Sequence, residues 1–159
     1  MSDIIDVFIE IPKESYVKYE LDKKTNLLRC DRILKLPMPY PENYGFIPKT
    51  LAQDGDELDA LVITKEGLQP GSLIECRILG YLEMEDEKGV DEKIIAVPSD
   101  RIDTYFTKVK DISQLPNLTL NKIKYFFQHY KDLDKKFVKV GEYKGVHEAV
   151  ELYNKYKLK

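Results

Sequence analysis

"IDVFIEI", residues 5–11, changes character at every step: Ile5, Val7, Ile9 and Ile11 fall on one face, and Asp6, Phe8 and Glu10 on the other. Side chains of a strand point alternately to its two faces, so this pattern predicts a strand with one face in a core. The period recurs in "VKYEL" (17–21), which sets Lys18 and Glu20 opposite Val17, Tyr19 and Leu21. After the polar "DKKTN" (22–26), "LLRCDRILKL" (27–36) reads as another strand, as do residues 59–64, 72–84 and 93–97. Gln69-Pro70-Gly71 and Glu87-Lys88-Gly89 mark turns between them.

The period then changes. "LTLNKIKYFFQHYKDL" (118–133) places Leu120, Ile123, Phe127 and Tyr130 at helical spacing, with Asn117 or Thr119 as a cap after Pro116. "GVHEAVELYNKYK" (145–157) predicts a second, shorter amphipathic helix, with "KFVKV" (136–140) as a strand between them. Short strands followed by helices predict an α+β fold, mainly β: a small closed barrel flanked by two C-terminal α-helices.

A chain of 159 residues is expected to form one domain, 1–159, able to bury about 70% of its unfolded surface without a disulfide or structural metal. Cys30 and Cys76 lie far apart, with no CxxC, and are expected to be reduced thiols. No run of ~20 apolar residues is present, so no membrane span is expected. The acidic, alternating start does not read as a secretory signal, and a cytoplasmic location is expected. A net charge of −3 gives no support to a broad nucleic-acid surface.

"QDGDELDALVI" (53–63) packs Asp54, Asp56, Glu57 and Asp59 into a turn entering a strand. Like charges ~4 Å apart repel by roughly 4 kcal/mol at an effective dielectric of ~20, so converging acids call for a cation among them. The donors are all oxygens, which favours Mg²⁺ or Mn²⁺ over Zn²⁺. A calcium EF-hand fails, because Leu58 and Lys65 stand at its fifth and twelfth positions; a solvated acidic turn is the bland alternative. A second group, Glu85, Asp86, Glu87, Asp91 and Glu92, flanks another turn, with Asp91 and Lys93 two apart and so on one face of a strand. Two acidic turns on one small barrel favour a site for several metals.

Lys18, Arg32 and Lys93 lie on strands where long cations can surround an anion, and Lys131 ends the aromatic-rich helix; taken singly, each also fits a surface salt bridge. "PMPYPENYGFIP" (37–48) reads as a stiff loop presenting Tyr40 and Tyr44 to a polar site, or as a Pro-rich ligand for another domain. His129 and His147 have no metal-ligand spacing.

Taken together, Asp54-Gly55-Asp56-Glu57-Leu58-Asp59-Ala60 with "IEIP" (9–12), "KYE" (18–20), "DR" (31–32), "YPENYG" (40–45), "LQPGS" (68–72), "DEKGVDEK" (86–93), "AVP" (96–98) and "HYKDL" (129–133) resembles the family I soluble inorganic pyrophosphatases of prokaryotic type, over nearly the whole chain. The resemblance implies a five-stranded OB-like barrel, commonly assembled as a homohexamer, that hydrolyses pyrophosphate to two orthophosphates through a metal-bridged water, with several Mg²⁺ ions per site and Mn²⁺ as a substitute. It further implies that Asp54, Asp59 and Asp91 bind the first activating metal, Asp59 bridging to a second. Asp86 and Asp91 would hold a metal that arrives with substrate, and Glu10 a further one. Asp56 would be the general base, and Lys18, Arg32, Tyr130 and Lys131 would bind the departing phosphate. Tyr44 and Lys93 would lie beside the nucleophile and the electrophilic phosphorus, with Glu20, Tyr40 and Glu87 supporting the site.

Overall fold

The computed structural model describes residues 2–159. The alternating Ile5-to-Ile11 face lies in β1 (Ile4–Ile11), where all four apolar residues are buried. β2 (Val17–Asp22) and β3 (Leu27–Ile33) form a hairpin, followed by β4 (Asn43–Ile47), β5 (Leu58–Val62), the long β6 (Leu73–Asp86), the short β7 (Gly89–Val90) and β8 (Lys93–Pro98). The helices α1 (Asn117–His129) and α2 (Val146–Tyr156) flank β9 (Val138–Lys144).

Strands β1, β4, β5, β8 and β6 pair in that order, and β6 pairs back to β1. The five strands thus close into an OB-like ring. β7 and β9 extend β6, while β2–β3 stands apart as its own two-stranded sheet. Every ladder in the ring is antiparallel except β5–β8, which is parallel and sets Asp59 opposite Lys93.

The apolar residues form two cores. One takes side chains from all five ring strands, among them Val7, Ile47, Ala60, Ile78 and Ile94, and is covered by Ala149, Val150 and Tyr156 of α2. The other lies beneath α1, where Phe126 and Phe127 pack with Leu61, Leu82, Ile95 and Tyr40. β5 and β8 are therefore apolar on both faces, which is why they read as continuous runs.

Two expectations are corrected. The segment 37–48 is not loop throughout, since Asn43–Ile47 is a ring strand. Buried Asn43 anchors it: its amide nitrogen donates to Val62 O and Thr64 Oγ1, and its oxygen accepts from the backbone N–H groups of Lys13 and Leu68. Neither Asn117 nor Thr119 caps α1; Pro116 holds the cap position, with no side-chain hydrogen bond. Among the described residues no helix is long and apolar enough to cross a membrane.

Candidate active site

The acidic turn between β4 and β5 is shaped by local hydrogen bonds. Gly55 takes φ of +89°, a conformation that suits glycine. Asp54 Oδ1 accepts from the Asp56 N–H at 3.1 Å, and the Ala52 N–H reaches Asp56 O at 2.8 Å. The turn is thereby folded on itself, with its carboxylates facing a cavity of about 740 Å³.

At the floor of that cavity lies Lys93, only 1% exposed. Its Nζ donates to Asp59 Oδ2 at 2.7 Å, to Tyr44 Oη at 2.8 Å and to Asp91 Oδ2 at 2.9 Å. Parallel register delivers Asp59 from β5, and Asp91 reaches back from just before β8, held by its N–H on Met84 O. Burial alone would pull the lysine pKa down; Asp59, the Tyr44 oxygen and Asp91 outweigh it and hold the ammonium well above its usual range. Tyr44 in turn packs on Tyr40 and Phe127, which ties the site to the second core.

A second lysine closes the far side. Lys131, at the end of α1, sits 3.3 Å from Asp86 and 3.4 Å from Glu87. Burial would raise the Asp86 pKa, but the Lys88 N–H and Lys131 hold it below the usual carboxylate range. Burial pushes Glu10 up to about 7, against the Leu21 N–H that donates to its Oε2 at 2.9 Å. Asp54 and Asp91 are also raised, chiefly by burial. In all three the leading cause is loss of water, which disfavours the charged carboxylate.

The donor set fits a hard divalent cation: Glu10, Asp54, Asp59, Asp86 and Asp91 offer only oxygens, from three separate places in the chain. Among the described residues no three acids, histidines or cysteines are drawn into a closed ligand cluster. The ammonium of Lys93 stands between Asp59 and Asp91 instead.

The inorganic pyrophosphatase family model matches residues 7–158. The inorganic pyrophosphatase of Aquifex pyrophilus is 51% identical over 148 residues, 92% of this chain and 84% of that one. The chain belongs to the inorganic pyrophosphatase family. Among solved structures, the Helicobacter pylori inorganic pyrophosphatase superposes with a TM-score of 0.94 at 48% identity, covering 97% of this chain and 91% of that one. The inorganic phosphatase of Anaplasma phagocytophilum gives 0.95 at 44% identity, with the same two coverages.

In this pyrophosphatase fold, the residues that the family resemblance implied for the site come together around one cavity, whereas Glu85 and Glu92 of the second acidic group line a separate one. Glu10, Asp54, Asp56, Asp59, Asp86, Asp91 and Lys93 enter from the ring strands and their turns. Lys18, Glu20 and Arg32 enter from the β2–β3 hairpin, and Tyr130 and Lys131 from the end of α1. Tyr40, Tyr44 and Glu87 complete the lining. The Tyr40 ring is 1% exposed and wedged between Tyr44 and Phe126, so it offers no face for a base to stack on. His129, half-buried, and His147, exposed, stay outside the cavity and pair with Asp132 and Glu151. Sequence reasoning missed Lys23, Lys24, Lys88 and Lys136 in the lining; the polar "DKKTN" turn was the available signal for the first two.

Proposed function

We propose that this inorganic diphosphatase hydrolyses pyrophosphate to two orthophosphates with Mg²⁺ as its activator, without a covalent intermediate. One observation carries the reading: a single cavity is faced by acids from the ring and by cations from the hairpin and the end of α1. Pyrophosphate and several divalent ions together need both.

Asp54, Asp59, Asp86, Asp91 and Glu10 would hold the metals, which supply acidification of water and neutralisation of phosphoryl charge. Asp56 would accept the proton of the attacking water, standing at the tip of the turn with its carboxylate on the cavity. Lys93 and Tyr44 would orient the electrophilic phosphate. Lys18, Arg32, Tyr130 and Lys131 would take up charge on the departing phosphate; its growth at that oxygen makes such contacts stronger in the transition state than in the ground state. Glu20, Tyr40 and Glu87 would hold these groups in place. Mn²⁺ would substitute for Mg²⁺, and the working enzyme would be a cytoplasmic homohexamer of single-domain chains.

Phosphate release from pyrophosphate with Mg²⁺, then with EDTA, is the test, with ATP as the competing substrate. Strong Mg²⁺-dependent release from pyrophosphate and little from ATP is the expected result. Release that EDTA leaves intact, or a preference for ATP, would refute the reading.

A further inference from the structure

The β2–β3 hairpin carries Lys18 and Arg32, yet no ladder joins it to the ring. Its apolar side rests on the core beneath α1 through Tyr19, with Leu34 just beyond β3. Sheet register therefore does not set the gap between these cations and the carboxylates. Polar contacts tie the hairpin to its surroundings at three points. Glu10 of β1 accepts from the Leu21 N–H. At the hairpin tip, Lys23 Nζ meets Glu57 Oε1 at 2.5 Å, one residue beyond Asp56. At its base, Asp134 takes Lys35 Nζ on Oδ1 at 3.0 Å and Arg32 Nη1 on Oδ2 at 3.4 Å.

Both ends of the tip contact are stiff. Asp22 accepts from the Lys24 N–H at 2.9 Å and from Arg29 Nη2 at 2.8 Å, so the turn holding Lys23 is braced against β3. Glu57 leaves the self-bonded acidic turn directly. A displacement of Lys23 is thus transmitted to β2, and one of Glu57 to the turn bearing Asp56.

We propose that two ion pairs outside the ligand set, Lys23–Glu57 and Lys35–Asp134, clasp the β2–β3 hairpin over the cavity and set the spacing between its cations and the carboxylates. The four are positioning residues, and the inference rests on the pyrophosphatase reading above. Lys23 and Lys35 are 60% and 66% exposed, so each pair is individually weak and screened by salt. A weak clasp also lets the hairpin lift when product leaves.

The test is a double-mutant cycle of Lys23→Met and Glu57→Gln, with the charge-swapped K23E/E57K and with Lys35→Met. KM and kcat for pyrophosphate are measured at low salt, and amide exchange of residues 17–33 is followed in the metal-free protein. Each single variant should raise KM by about two- to five-fold and speed exchange across the hairpin. The double variant should be no worse than either single, the swap should recover part of the loss, and Lys35→Met should add to Lys23→Met. Additive effects of Lys23→Met and Glu57→Gln, or unchanged exchange in the hairpin, would overturn the clasp. Exchange requires no turnover, so a native protein inert toward pyrophosphate would sink the functional reading and still leave the clasp decided.

Discussion

Replacing Lys93 by Met keeps nearly the same volume and removes one charge. The ammonium is buried and lies within 2.9 Å of both Asp59 and Asp91. Removing one partner of a buried ion pair costs about 3–5 kcal/mol, because the remaining charge is left uncompensated. Here two carboxylates would be left facing each other; Asp91 is 10% exposed and Asp59 23%, so water relieves Asp59 in part. That argues for the lower end, about 3 kcal/mol. For a chain of this length each kcal/mol moves the melting temperature by about 2–4 °C, so in EDTA the variant should melt about 6–12 °C below the native protein. Saturating Mg²⁺ should close much of that gap, since the cation proposed for Asp59 and Asp91 would replace the missing ammonium. Thermal unfolding followed by circular dichroism, with EDTA and with Mg²⁺, measures both quantities. A loss under ~2 °C in EDTA would show that the carboxylates do not depend on Lys93. An equal loss with and without Mg²⁺ would show that no divalent ion takes its place.

Asp56→Asn removes a proton acceptor and should lower kcat by about 10²–10⁴-fold with little rescue by Mg²⁺, whereas Asp54→Asn and Asp59→Asn should recover part of their activity as Mg²⁺ is raised; steady-state kinetics across a Mg²⁺ titration separates the two behaviours. Ca²⁺ as the only divalent ion should bind but support little turnover, because its looser coordination misplaces the reacting groups; full activity in Ca²⁺ would count against the site. Burial pushes Glu42 up to about 7, so the folded state keeps a proton that the unfolded state loses near its ordinary value, and native stability falls as pH rises between the two. Glu42→Gln should therefore gain on the native protein in melting temperature from pH 5 to pH 7 and level off above; a constant difference would contradict this. Gly45→Ala should yield no folded protein on expression, because its Cβ would run into the Phe8 carbonyl oxygen across the β1–β4 ladder.

The strands that were legible are those whose packing is written locally. β1 shows period two because Asp6 and Glu10 interrupt its apolar residues, and β5 and β8 show unbroken apolar runs because both faces are covered. β4 was hidden, since prolines, Asn43 and Gly45 are poor strand formers. That strand exists because Asn43 saturates four hydrogen-bonding positions around it and Gly45 lets β1 approach. The cap of α1 was misjudged for a similar reason: Pro116 ends the preceding loop, and no side chain is needed. In the site, the acids were legible because they crowd into two short turns. The contacts Lys23–Glu57 and Arg32–Asp134 were not, as their partners lie 34 and 102 residues apart and carry no local pattern.

The one parallel ladder of the ring governs when the cavity comes into being during folding. β2–β3 and β4–β5 are hairpin-like neighbours that close short loops, whereas β5 and β8 pair across the long stretch of chain that holds β6 and β7. Non-local pairings of this kind form slowly, because loop entropy is lost before any contact rewards it. Asp59 and Lys93 face each other only across that ladder. Most strand structure can therefore return on refolding before a single competent site exists. Hydrolytic activity should lag the far-ultraviolet signal and report closure of the ring itself.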